Sequence, residues 1–220
     1  MKTLSVISCK GGTGKTTLAL HLAVAAQASG HGVLVADLDR QKSALDWRRE
    51  RDEARPTVEE ARPGALFTLQ QAATRLGSDM MIIDTASSRE EDTAYAIRSA
   101  DLCLIPLRPT FLDLKAVVAS AQAVLNQCKQ GVFVINQAPA GAAFMDDVLR
   151  TLRPYGLPIA PVRIRERAAY QQGFPAGRTA QEIEPEGPAA CEIKALWAYV
   201  EDLLWPAVGA QEEPLLARTA

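Results

Sequence analysis

The sequence predicts a single α/β domain, a mainly parallel twisted sheet flanked by helices on both faces. Three observations point there. Short runs rich in β-branched residues alternate with longer amphipathic segments, the pattern of parallel strands joined by crossover helices. Several of those runs are apolar throughout, as strands covered on both faces have to be. The first run leads straight into a glycine-rich loop that opens a helix. With 220 residues and 48% hydrophobic composition, the chain can bury one well-packed core and is short for two full domains. The domain is expected over residues 1–205 and a loose tail over 206–220.

In chain order, Thr3–Ser8 is the first expected strand, and good helix formers run from Thr16 to Ser29 until Gly30 stops them. Val33–Asp37 is the next strand. The segment DWRRERDEAR around Trp47 is mixed in sign and reads as an exposed helix. Met80–Asp84, Leu102–Pro106 and Val132–Asn136 follow as strands, with Pro158–Ile164 a weaker candidate. Between them, Thr110 and Asp113 have capping-box spacing, and Leu114, Val117, Val118, Ala121 and Leu125 keep a helical period. Ile193, Leu196, Trp197, Val200 and Leu204 share one face of a last helix that Pro206 ends. Both stripes are assigned to the core. The chain carries no internal repeat and no low-complexity block.

Composition narrows the function classes. A formal charge of -2 and a pI near 5.8 do not describe a dedicated nucleic-acid binder, so any polyanion contact has to use a local patch. Cys9, Cys103, Cys128 and Cys191 lie far apart with no C-x-x-C pair, which speaks against a disulfide framework, a zinc site or an iron–sulfur cluster and fits a reducing cytosol. LSVISC, ending at Cys9, is too short for a lipoprotein signal and Lys10 follows it at once. No apolar run reaches the roughly 18 residues of a spanning helix, so membrane insertion is not expected. His21 and His31 flank a helix away from the motifs and are given no catalytic role.

The chemistry concentrates in CKGGTGKTT, Cys9 to Thr17. It fits the phosphate-loop pattern G-x-x-x-x-G-K-[ST] except that Cys9 fills the first glycine slot and a second lysine, Lys10, follows. Gly11, Gly12 and Gly14 let the backbone turn its N–H groups inward, and the helix start adds about half a unit of positive charge. Thr13 and Thr17 belong to the same nucleotide-contacting set. Lys15 is expected to reach the β- and γ-phosphates, and the Thr16 hydroxyl to complete a magnesium shell. The strand MMIID ends at Asp84, placed for a magnesium–water contact, although a strand-end aspartate also caps turns. In DLDRQ, Asp37 and Asp39 stand two apart, so in an extended segment both would face the magnesium and the γ-phosphate, one of them positioning water.

These residues resemble the ParA/MinD family of deviant phosphate-loop ATPases, whose mark K-G-G-x-G-K-T-T is matched in full at Lys10–Thr17, and within it the small plasmid-partition ParA (ParF-like) proteins. DLDRQ resembles the family's D-x-D-P-Q, IIDTAS its second switch, PLRPTFLDL (Pro106–Leu114) its P-x-x-P-S-x-L-D-L, and IRERAAY (Ile164–Tyr170) its I-x-x-R-x-x-Y, so the resemblance runs from about Lys2 to Leu204. It implies a P-loop NTPase fold and ATP hydrolysis, slow without a partner, with ATP and Mg2+ as cofactors. Lys10 would then be the signature lysine that reaches across a homodimer to the other chain's ATP. Asp39 would orient water, Asp37 and Asp84 would hold the magnesium shell, and Asn136 would contact adenine, unless it serves only a turn.

The resemblance further implies an ATP-state homodimer that binds DNA non-specifically and is released by a ParB-like or cargo-adaptor partner, hence a cytoplasmic, nucleoid-associated protein. The loop begins almost at Met1, leaving no room ahead of it for a helix-turn-helix and making operator binding unexpected. Arg150, Arg153, Arg163, Arg165 and Arg167 form the candidate DNA patch, which interspersed acids and apolar residues also allow to be an ordinary solvated surface. Two departures bear on turnover: Arg40 replaces the family's proline, and Ala86, Ser87 and Ser88 stand where relatives have Pro or Gly. They leave room for a nucleotide-gated module with very slow turnover. A MinD-like membrane switch would need a basic amphipathic carboxyl-terminal helix, against which WPAVGAQEEPLLARTA sets two prolines and two adjacent glutamates.

Overall fold

A computed structural model describes residues 1–86, 90–139, 141 and 145–206. Among these residues six strands, β1 (Lys2–Val6), β2 (Val33–Asp37), β3 (Thr57–Glu60), β4 (Met80–Asp84), β5 (Leu102–Leu107) and β6 (Gln130–Ile135), form one sheet in the order β3-β2-β4-β1-β5-β6, every neighbouring pair parallel. The helices are α1 (Lys15–Ala28), α2 (Ser43–Arg49), α3 (Leu66–Arg75), α4 (Glu90–Ser99), α5 (Phe111–Asn126), α6 (Met145–Leu152), α7 (Ala169–Gln172), α8 (Ala180–Ile183) and α9 (Pro188–Leu204). Strand pleating sends Leu4 and Val6 of β1 to one face, under α1 and α9, and Ile7, Cys103 and Ile105 to the other, under α4, α5 and α6. Chain order reverses on either side of β1, which puts the loop after β1 in the crevice at the carboxyl ends of the strands. Register places Val6 beside Asp84 and Asp84 beside Asp37, so both acids end their strands next to that loop.

Helix α1 is buried nearly all round, from Leu18 to Ala26, and its alanines let it lie close between the sheet and α9. Its end follows the expected stop, with Gly30 at φ 99°. The Thr110 hydroxyl accepts the Asp113 N–H at 3.3 Å and caps α5. On α5 the buried stripe is Val117, Ala121 and Val124; Leu125, assigned to the core, is exposed. All five expected core residues of α9 are buried.

Three expectations need correcting. The edge strand β3 is absent from the sequence reading because TVEE offers one inward apolar residue, Val58, and its outer glutamates give the charged edge that discourages strand addition. Pro158–Ile164 is no strand: it exchanges single hydrogen bonds with β6 at Pro158, Ala160 and Ile164, and Pro161 has no N–H to continue a ladder. The Trp47 segment is not an exposed helix. Its helix ends at Arg49, Trp47 is buried, and the buried Arg51 lies 4.9 Å over the indole, donates to the Gly177 carbonyl and pairs with Glu182 at 2.6 Å. A charge pattern read locally has no access to a partner so far along the chain. Ser87, Ser88 and the tail beyond Pro206 lie outside the described residues.

His31 ties α9 back to the sheet. Its ring lies between Asp79 (3.0 Å) and Glu201 (2.9 Å) and stacks on Trp205 with centroids 4.3 Å apart. Burial works against the imidazolium, but the two carboxylates outweigh it and hold the His31 pKa above 6.5. A raised folded-state value adds stability that is complete below the unfolded-state value and disappears as pH rises through the folded one. Thermal melts from pH 6 upward are therefore expected to show a falling midpoint in the native protein, a fall that His31→Gln makes shallower.

Candidate functional site

The glycine-rich loop is built by its neighbours as much as by its own sequence. Gly14 precedes α1 at φ 86° and Gly12 sits at φ 76°, left-handed conformations that glycine adopts at least cost. A Cβ at Gly14 would run into the Asn136 amide. That amide donates to the Thr13 carbonyl at 2.7 Å, and Gln137 donates to the Gly12 carbonyl at 3.0 Å. The end of β6 thus turns two loop carbonyls away from the concave side. Asn136 also lines the cleft beside Gly14, but its N–H2 group is engaged in shaping the loop.

Lys15 is buried, and its ammonium meets the Lys10 carbonyl at 3.4 Å. Burial pulls its pKa down, while the Asp84 and Asp39 charges oppose that pull. Asp84 is fully buried, and among the described residues neither carboxylate oxygen has a hydrogen-bond partner of good geometry. Burial, reinforced by Asp37 and Asp39, pushes it up to about 7 against the nearby Thr16 hydroxyl and Lys15. An unpartnered buried carboxylate is costly unless something cationic faces it. This donor set, two strand-end acids beside a threonine hydroxyl, suits a hard divalent cation that keeps part of its water shell.

Asp37 is also buried and its pKa is raised by burial, a rise that N–H bonds accepted from Asp39 (2.9 Å), Ala44 and Leu45 (both 3.2 Å) oppose without cancelling. It therefore organises the turn into α2. The strand ends at Asp37, so the shared-face argument for Asp39 does not apply; Asp39 sits half-buried in the turn, where its charge still reaches Asp84 and Lys15. Arg40 is exposed.

Lys10 points elsewhere. Its ammonium pairs at 2.8 Å with the buried Asp113 at the start of α5, which also receives Arg108 at 2.9 Å and the Thr110 hydroxyl. Burial alone would raise Asp113, but Lys10, Thr110 and Arg108 together hold it below the usual carboxylate range. Capping-box spacing singled Asp113 out as a helix cap and hid this second use. Glu192, which binds Arg167 at 2.7 Å, carried no sequence signal at all. The five candidate arginines are not a free set: Arg167 is engaged with Glu192 and Arg150 lies 3.5 Å from Asp147, while Arg153, Arg163 and Arg165 are exposed.

Residues 4–173 match the family described as CobQ/CobB/MinD/ParA nucleotide binding domain. The maintenance of carboxysome distribution protein A of Gloeobacter kilaueensis is 30% identical over 177 residues, 78% of this chain and 80% of that protein. The chromosome-partitioning ATPase Soj of Thermus thermophilus is 28% identical over 60% of this chain and 64% of its own. Among solved structures, the septum site-determining protein MinD of Pyrococcus horikoshii, complexed with Mg-ADP, superposes with TM-score 0.72 at 17% identity, over 92% of this chain and 96% of that one. Apo McdA of Cyanothece gives TM-score 0.71 at 19% identity, over 93% and 100%. At these identities the superpositions speak to fold alone.

Proposed function

The chain belongs to the CobQ/CobB/MinD/ParA nucleotide-binding domain family, and from that membership we propose that it is a partition or positioning ATPase working as an ATP-sandwich homodimer. The observation that carries this reading is the conjunction of a complete K-G-G-x-G-K-T-T loop with the buried carboxylate of Asp84, which has no hydrogen-bond partner among the described residues. The N–H groups from Gly11 to Thr17 and the start of α1 cradle the phosphates, and Lys15 reaches the β/γ end. A magnesium ion held here would supply charge neutralisation to the phosphates. Thr16, Asp37 and Asp84 hold its shell, Asp39 orients the attacking water, and Asn136 sits at the adenine end.

Lys10 of each chain exchanges its own Asp113 for the triphosphate held by the other. An ammonium about 4 Å from a phosphate oxygen gains roughly 4 kcal/mol at an effective dielectric near 20, before desolvation. In the single chain the Asp113 ion pair keeps that ammonium from the chain's own loop, so nucleotide state and self-association become one event.

The ATP dimer then binds DNA non-specifically through Arg153, Arg163 and Arg165, and a ParB-like protein or cargo adaptor releases it by speeding hydrolysis, in the cytoplasm and on the nucleoid. Relatives named for carboxysome distribution and chromosome partitioning support a positioning or partition role. Duplex-DNA binding is expected only with ATP and to weaken steeply between 50 and about 200 mM salt. Arg153→Glu with Arg163→Glu should weaken it about tenfold or more at fixed salt. An ATP form that ignores duplex DNA at low salt rules this reading out.

A further inference from the structure

Arg167 and Tyr170, the two polar marks of the Ile164–Tyr170 segment, have no part in the phosphate chemistry. Both turn to the same carboxylate, that of Glu192 on α9. Its Oε1 accepts the Arg167 Nε and Nη2 protons at 3.0 and 2.7 Å, and its Oε2 accepts the Tyr170 hydroxyl at 2.7 Å and the Arg165 backbone N–H at 3.0 Å. The Tyr170 hydroxyl also lies 3.2 Å from the Ala189 carbonyl. Burial pushes the Glu192 carboxyl up, but these donors outweigh it and keep it ionised below its usual range.

The clamped segment is one wall of the cleft that opens beside the phosphate loop, where Arg165, Arg167 and Tyr170 stand with Gly14, Thr17 and Asn136. Its back is braced as well. The His21 ring meets Tyr170 edge-on at 5.2 Å, lies 2.8 Å by Nδ1 from the Thr17 carbonyl and accepts the Ala180 N–H on Nε2 at 3.1 Å. Those partners require a neutral imidazole with its proton on Nδ1, consistent with burial pushing its pKa down to about 4.

We infer that Glu192 is a positioning residue for the nucleotide's base: it fixes residues 165–170 as the wall of the cleft that Gly14 and Thr17 also line, where the base would lie, and so ties base binding to α9. Arg167 and Tyr170 belong to this frame and make no DNA contact. The inference rests on the triphosphate reading of the loop, since Glu192 itself touches no nucleotide.

Calorimetry with MgATP and with magnesium tripolyphosphate separates the two ends of the site, because tripolyphosphate engages the loop and lacks the base. Glu192→Ala is expected to weaken MgATP about tenfold while leaving tripolyphosphate within about twofold of the native protein. Tyr170→Phe keeps the ring against His21 and loses only the hydroxyl, so about a threefold loss for MgATP alone is expected; it decides the matter if Glu192→Ala does not fold. Unchanged MgATP affinity in the folded variants, or equal loss of both ligands, overturns the role of Glu192 and leaves the triphosphate reading standing. A native protein that binds neither ligand overturns both.

Discussion

Asp84→Asn is expected to cut magnesium-dependent ATP turnover by about a hundred- to a thousandfold and, at pH 8, to raise the melting temperature of the nucleotide-free protein. The two effects have one cause. Asp84 is fully buried, its oxygens have no hydrogen-bond partner among the described residues, and burial with the nearby Asp37 and Asp39 charges pushes it up to about 7. A carboxyl whose folded-state value is raised costs nothing below its unfolded value near 3.8; the cost grows as pH rises and is complete above about 7. Asparagine keeps the shape and carries no charge. Its gain in melting temperature should therefore be present at pH 8 and vanish towards pH 4, each kcal/mol appearing as about 2–4 °C in a chain of this size. Scanning calorimetry at both pH values, beside phosphate release, reads the trade-off. A variant that loses turnover without gaining stability at pH 8 would mean that the cost of the buried charge is met some other way.

The second large effect is expected at Lys10. Lys10→Ala removes the ammonium that the proposed dimer lends to the other chain, and charge supplied in trans to a transferring phosphoryl group is worth about 10³ to 10⁵ in rate. It should leave the single chain almost intact, because Asp113 keeps Arg108 and the Thr110 hydroxyl, and because the lysine side chain is 28% exposed. ADP affinity should change by no more than a few-fold, since Lys15 and the loop N–H groups remain. Partner- or DNA-stimulated turnover should fall by about a thousandfold or more. That separation of binding from turnover distinguishes a lysine acting on the other chain's nucleotide from one that merely completes its own loop.

What could be read from the sequence was local. A strand, a tight turn and a helix start lie within 17 residues at the amino end, so the loop from Lys10 to Thr17 announced itself, and MMIID singled out Asp84 as the acid that closes an otherwise apolar strand. The parallel sheet was equally legible, since strands covered on both faces carry unbroken apolar runs. The edge strand was not, because only one face of β3 is covered and a single valine makes no pattern. Long-range polar partnerships were the other gap. Arg51 with Glu182, Glu192 with Arg167 and Lys10 with Asp113 join residues whose local context advertises a solvated surface or a helix cap, and only the fold brings them within hydrogen-bonding distance. Asp39 shows the converse: spacing of two aligned it with Asp37 only for as long as the strand continued, and the Asp37 carboxylate itself ends the strand by accepting the Asp39 N–H.

Sedimentation velocity with magnesium and ATP puts the trans-acting lysine to its plainest test. The native chain should move from one-chain to two-chain species on addition of ATP, and Lys10→Ala at the same concentration should remain a single chain while still binding nucleotide. Two-chain species of equal abundance in the native protein and in Lys10→Ala would contradict the exchange of Asp113 for a second chain's phosphates.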